Sequence, residues 1–85
     1  MKHELKIWPQ YFKPVQEGQK NFEVRVNDRG YQAGDIVELN EWTPTAHEGA
    51  YTGRSLTFEI GYVFQLNDNR CVFSILKLKT LEGEK

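Results

Sequence analysis

Apolar and polar residues alternate along this chain in short runs, and the runs predict strands. Residues 3–8, HELKIW, set His3, Leu5 and Ile7 against Glu4, Lys6 and Trp8. Residues 22–26 set Phe22, Val24 and Val26 against Glu23 and Arg25, and Asn27 continues the polar side. One side of that segment wants a core, and the other carries a carboxylate, a guanidinium and an amide. Residues 35–43, DIVELNEWT, read as a third strand. In residues 55–64, Leu56, Phe58, Ile60, Tyr62 and Phe64 alternate with Ser55, Thr57 and Glu59. Gly61 inside that run marks a bulge or a close backbone approach. Residues 70–79 form a last strand in which RCVFSIL belongs to the core.

Between the first two strands, PQYFKPVQEG predicts a short or irregular helix. Pro9 can open it, because its missing N–H would be unpaired in a first turn. Gly18 can close it in a left-handed backbone. Tyr11, Phe12 and Val15 share a face. Pro14 removes one helical hydrogen bond and crowds the carbonyl four residues back. NDRGYQAGD and QLNDN are turns by their Asn, Asp and Gly content. PTAHEGAYTG, residues 44–53, reads as a loop, and residues 80–85 as a frayed tail. Five strands and one early helix predict a mainly β (α+β) domain, a closed or nearly closed barrel over residues 1–85. An SH3-like or OB-like barrel fits the same periodicity.

Size narrows the picture to one domain, since 85 residues bury about 60–65% of their unfolded surface. No run is long enough for a membrane span, and the first residues lack a signal-peptide core. Cys71 is the one cysteine, so it has no disulfide partner within the chain and reads as a buried thiol. A cytoplasmic setting is the expectation. With only His3 and His47 as further soft ligands, no metal or other cofactor is expected.

Net charge is −1 at pH 7, which argues against strong nonspecific nucleic-acid binding. The charge is uneven: residues 1–30 hold six Lys/Arg against four acids, and residues 31–69 hold Arg54 against six acids. Residues 70–85 are again basic. If the two ends meet, they make a basic face suited to a local anion contact. The alternative is scattered solvated charge.

The candidate chemistry sits mostly on the second strand. Glu23 and Arg25 point the same way, roughly 6.5–7 Å apart along a strand. A guanidinium fork suits phosphate or a base edge, and a carboxylate accepts from an exocyclic amine. The plainer alternative is that they pair with each other. Lys20 enters from the turn after Gly18, and Asn27 and Arg29 flank the next turn. Tyr51 and Arg54 could stack a base and neutralise a phosphate. His3 and Lys6 lie on opposite faces of the first strand, and His3 reads better as a surface histidine than as a base. Trp8 and Trp42 read as core or barrel rim.

Gly18-x-Lys20-x-x-Glu23-x-Arg25, followed by Gly34-Asp35 opening a strand, resembles the signature of ASCH domains of the PUA-like superfamily. The wider pattern from His3 to Ile75, including ELKIWPQYF, FEVR, NDR, GD and YTGR, looks like a bacterial and phage subfamily with no assigned function. The resemblance implies a small PUA-like barrel with a helix after the first strand and a cleft lined by the G-x-K-x-x-E-x-R segment. It implies an RNA, nucleotide or modified-nucleoside ligand. Some compact ASCH members remove acyl groups from N4-acetylcytidine, using the motif lysine, a threonine three residues on and a later glutamate. Lys20 matches that lysine, and Glu23 stands where the threonine would be. The alternative function is therefore a metal-independent amidohydrolase with Lys20 as nucleophile or base and Glu23 as its proton partner. A third reading is a protein-interaction domain without a small ligand.

Overall fold

The computed structural model describes residues 1–45 and 48–78. The expected tail over 80–85 lies outside the described residues, as do His47 and the last residue of the predicted 70–79 strand. The order is β1 (Lys2–Ile7), α1 (Pro9–Gln16), β2 (Phe22–Val26), β3 (Ile36–Thr43), β4 (Ala50–Gln65) and β5 (Arg70–Lys77). The five strands form one curled, half-barrel sheet in the order β1-β3-β4-β5-β2. β1 runs parallel to β3, and every other neighbour is antiparallel. β1 and β2 are therefore the two edges, with no strand pairing between them.

α1 supplies the crossover between β1 and the rest. Trp8 accepts the first helical amides, from Tyr11 at 3.0 Å and Phe12 at 2.9 Å, and Pro9 takes the first turn. Pro14 does interrupt the ladder, and the helix ends after eight residues. Gly18 then turns with φ +80°, where a Cβ would be strained. Phe12 and Val15 enter the core, while Tyr11 stays half exposed.

The core lies between α1 and the inner face of the sheet. Leu5 and Ile7 of β1, Val37 and Leu39 of β3, Ile60 of β4, and Cys71, Phe73 and Ile75 of β5 fill it. Burying each such side chain contributes about 1.5–3 kcal/mol. Burial pushes the Cys71 thiol above its ordinary pKa, so it stays neutral in this core.

Four expectations need correction. The segment 44–53 is not all loop, because β4 already begins at Ala50 and pairs Tyr51 with Trp42. Tyr62 and Phe64 do not share the inner face of Ile60. The register with β5 shifts between Ile60 and Val63, and Gly61 at that bulge lets the Tyr62 amide donate to Ser74 Oγ at 2.9 Å. The extra residue turns Val63 toward the core and leaves Tyr62 and Phe64 outside. His3 is not on the surface: it is 4% exposed, with its ring edge 4.7 Å from Tyr31 and Nε2 2.9 Å from Asp35 Oδ2.

The fourth correction concerns β2. Phe22, Val24 and Val26 were expected inside, yet they are 46, 44 and 49% exposed, and Glu23 is 3% exposed. The strand is turned over relative to its hydrophobicity. Its apolar side joins Val72 of β5 and Phe64 of β4 in a row across the outer face, fixed by the pairings Val24↔Val72 and Phe64↔Val72. Its polar side faces the interior edge of the half-barrel.

Candidate functional site

The unpaired edges of β1 and β2 enclose a cleft, and the residues after α1 deliver a lysine to it. The carbonyl of Pro14 accepts amides from Gln19 at 2.9 Å and Lys20 at 3.0 Å. This double contact fixes the chain where it leaves the Gly18 turn. Lys20 Nζ then donates to Phe22 O at 2.8 Å and to Glu23 Oε2 at 2.6 Å. Its ammonium also lies 5.0 Å from the Phe22 ring centre and 5.9 Å from that of Tyr11.

Glu23 is the centre of the arrangement. Arg25 Nη2 donates to Glu23 Oε1 at 2.7 Å and Arg25 Nε to the same oxygen at 3.0 Å. A lone carboxylate at this depth would cost several kcal/mol in lost hydration. Two cations, one on each oxygen, offset that cost. Arg25 Nη2 also reaches the carbonyl of Lys6 at 2.9 Å, and Arg29 Nη1 reaches that of Glu4 at 3.2 Å. Two arginine side chains thus take the place of strand pairing between β1 and β2.

The cleft is divided into two hollows. The larger, of about 540 Å³, has Ile7, Trp8 and Tyr11 on one side and Glu23, Lys20 and Lys6 around it. The smaller, of about 310 Å³, is lined by Leu5, Tyr31, Arg29 and Asp28. Val24, Arg25 and Arg70 border both. Five cationic side chains (Lys6, Lys20, Arg25, Arg29 and Arg70) face two acidic ones (Glu23 and Asp28) on a protein whose net charge is −1. Burial raises the Tyr31 pKa, with Arg29 and Arg25 pulling back, so Tyr31 presents a neutral hydroxyl. Lys6 Nζ also lies 4.5 Å from the Trp42 ring centre.

The structure gathers Lys6, Lys20, Glu23, Arg25 and Arg29 from the expected set. Asn27 lies just beyond, where its Nδ2 donates to Gln65 Oε1 at 2.8 Å and its buried Oδ1 has no partner. His3 is behind the cleft wall with Asp35, whose carboxyl is held below its ordinary pKa first by the His3 hydrogen bond and then by the Gln32 amide. Asp35 Oδ1 also accepts from the Met1 amino group at 3.3 Å.

Tyr51 and Arg54 border neither hollow. Arg54 makes a two-pronged contact with buried Glu41, Nε to Oε1 and Nη2 to Oε2, both 2.9 Å. Thr52 Oγ1 adds a third bond to Glu41 Oε1 at 2.6 Å. Arg54, and secondarily Thr52, hold the Glu41 carboxyl below its usual range. The guanidinium covers the Phe12 ring at 4.8 Å. Gly53, at φ +95°, lets β4 buckle opposite Glu41 so that Thr52 and Arg54 converge on one carboxylate.

Arg70 was not singled out in the sequence. The antiparallel register Val26↔Arg70 brings it to the cleft from the far end of the chain. The only sequence signal was the return of basic charge after residue 69. Among the described residues, no three His, Cys, Asp or Glu side chains come together as a metal-ion set. No helix among them is long and apolar enough to cross a membrane.

Comparison with known proteins places this chain among relatives. Residues 2–75 match the family model described as Domain of unknown function (DUF3850). The chain belongs to the DUF3850 family. It is also 41% identical over 66 residues to the "Uncharacterized 12.9 kDa protein in GpA 3'region" of Escherichia phage P2. That match covers 78% of this chain and 57% of the phage protein, so the chain spans little more than half the length of its relative. The DUF3850 match runs from the start of β1 to Ile75 in β5 and so includes both walls of the cleft.

Proposed function

We propose that this DUF3850 domain is a binding module for a nucleotide, a modified nucleoside or a short stretch of RNA, held in the β1–β2 cleft. The reading rests on one observation above the others: cations exceed acids five to two around a cleft that also exposes Trp8 and Tyr11. Aromatic rings and guanidinium planes stack bases, and cations neutralise phosphate. A carboxylate fixed between two cations is a defined acceptor for an exocyclic amine. The ASCH/PUA-like resemblance of Gly18-x-Lys20-x-x-Glu23-x-Arg25 supports the same reading, as does the placement of that motif on the cleft wall. A reducing, cytoplasmic setting accords with the free buried thiol of Cys71.

Titration with nucleosides, nucleotides and short RNA and DNA oligomers tests the proposal. Salt-sensitive binding that weakens in Lys20→Ala and Arg25→Ala supports it. No binding across that panel rejects it.

A second reading is favoured by the Lys20 Nζ–Glu23 Oε2 distance of 2.6 Å, short enough for direct proton transfer. A lysine and a carboxylate in such contact suit an amidohydrolase acting on N4-acylated cytidine. Turnover of N4-acylcytidines that vanishes in Lys20→Ala would establish this reading, and absence of turnover at high protein concentration would remove it. The apolar outer row of Val24, Val72 and Phe64 is the feature that would suit a protein partner instead.

A further inference from the structure

The two hollows differ in chemistry, and the difference assigns them different parts of one ligand. The larger has apolar and aromatic walls in Ile7, Trp8 and Tyr11 with Glu23 at its base. Of its cations, Lys20 and Arg25 are committed to Glu23 at 2.6 and 2.7 Å, Lys6 lies 4.5 Å from the Trp42 ring centre, and Arg70 is shared with the smaller hollow. The smaller hollow holds its charge in reserve. Arg70 has no ion-pair partner among the described residues. Arg29 has Asp28 as its one acidic neighbour, at 3.9 Å, with both side chains well exposed, and otherwise donates through Nη1 to the Glu4 carbonyl at 3.2 Å. A solvated pair at that distance contributes little and yields readily to a competing anion.

Tyr31 completes the smaller hollow. Its ring is clamped between His3, at 4.7 Å, and Phe73, at 4.8 Å, so its hydroxyl is presented from a rigid mount. Two arginines and a fixed neutral hydroxyl make a set of donors with a single weak acceptor on its rim. Phosphate oxygens need such a set. Arg70 borders both hollows, so an anion there adjoins whatever fills the larger one.

We propose that the smaller hollow is a phosphate subsite, in which Arg29, Arg70 and the Tyr31 hydroxyl hold a phosphate attached to a nucleoside whose base occupies the larger hollow. The proposal rests on the binding function above and sharpens it: the ligand is a phosphorylated nucleoside, not a free one. Arg70 is the residue that distinguishes the two. The phosphate can belong to a mononucleotide or to a strand, and the subsite reads the chemistry they share.

Calorimetric titration of the full chain with four ribonucleosides, their 5′-monophosphates, a dinucleoside monophosphate and inorganic phosphate tests this. A phosphorylated ligand should bind roughly ten- to hundredfold more tightly than its nucleoside, the range expected for charge-assisted bonds to one phosphate. Arg70→Ala and Arg29→Ala should each weaken nucleotide binding by more than nucleoside binding and so erode that advantage, while Lys13→Ala on exposed α1 should alter neither. Arg70→Lys should restore part of it. Tighter binding of the monophosphate than of the dinucleotide identifies a free nucleotide, and the reverse identifies a strand. Equal affinity for nucleoside and nucleotide, or an advantage insensitive to Arg70, overturns the subsite while leaving the binding function standing. Inorganic phosphate binding that Arg70→Ala abolishes, with no gain from any nucleoside, upholds the subsite and removes the base. Absence of binding by every probe removes both.

Discussion

Arg25, on one edge of the sheet, donates through Nη2 to the backbone carbonyl of Lys6 on the other edge, at 2.9 Å. The same nitrogen lies 2.7 Å from Glu23 Oε1. One guanidinium therefore holds a buried carboxylate and spans the opening between β1 and β2. A fully paired barrel would bury the edges and leave no cleft. A sheet held by side chains keeps both the curvature and the opening.

Replacing Arg25 with Ala removes the span and leaves Glu23 with Lys20 alone. The expected loss is about 2 kcal/mol, that of a charged hydrogen bond and below that of a fully broken buried ion pair, because Lys20 still holds Glu23. Arg25→Lys should recover little, because an ammonium lacks the planar fork whose Nε holds Glu23 while Nη2 reaches both Glu23 and the Lys6 carbonyl. Urea unfolding of the three proteins measures this. Equal midpoints would show that the span is not structural.

The acid limb of stability should belong to Asp35 and Glu41. Both carboxyls lie below their ordinary pKa in the fold, Asp35 chiefly through His3 and Glu41 chiefly through Arg54. In the unfolded chain they titrate near about 3.9 and 4.3. A depressed folded pKa means stability that is fully present above those values and is lost as pH falls through and below them. Asp35→Asn and Glu41→Gln should lower stability at neutral pH and flatten its decline below about pH 4. Thermal unfolding from acid to neutral pH reads both effects. A decline as steep in the double variant as in the wild type would assign the limb elsewhere.

Gly49 and Gly61 should respond unequally to a methyl group. A Cβ on Gly49 would fall 1.7 Å from Trp42 Cζ2 and 2.0 Å from Cε2, within the indole ring itself. At Gly61 the nearest atoms are Ser74 Oγ at 2.7 Å and Leu76 Cδ1 at 2.9 Å, the ends of side chains that can rotate. Gly49→Ala is expected to cost about 1–3 kcal/mol, as overpacking does, and Gly61→Ala less. Comparison of their melting temperatures decides the order.

The inverted strand makes a direct prediction about β2. Val24→Thr, on its outer face, should change stability by no more than about 0.5 kcal/mol. Phe73→Ala, opposite Glu23 in the register, should cost about 3–5 kcal/mol. A large loss from Val24→Thr would mean that the outer row is covered by something in solution.

These relationships also mark how far the sequence was readable. The limits of β2 were legible to the residue, and the start of a short α1 at Pro9, the Gly18 turn and the bulge at Gly61 were legible too, though α1 ends at Gln16. Periodicity fixes spacing, and spacing does not say which face turns inward. In β2 the ordinary rule fails because Lys20 and Arg25 neutralise Glu23, so the polar face is the one that can be enclosed. Local sequence shows Lys20 three residues before Glu23, but not that Lys6 supplies the carbonyl across the gap. His3 was misplaced because its partner Asp35 is 32 residues away. Arg70 reaches the cleft only through the register of β5 with β2, which no local pattern specifies.

The most direct test of the central claim is amide chemical-shift mapping of the wild type and Lys20→Ala with ribonucleoside 5′-monophosphates. Lys20→Ala leaves Glu23 paired with Arg25, so the cleft wall should survive the change. The account predicts that shifts in the wild type cluster at residues 6–8, 20–25 and 70, and fade in the variant. Shifts confined to Val72 and Phe64 of the outer row, or no shifts in the cleft at saturating nucleotide, would contradict it.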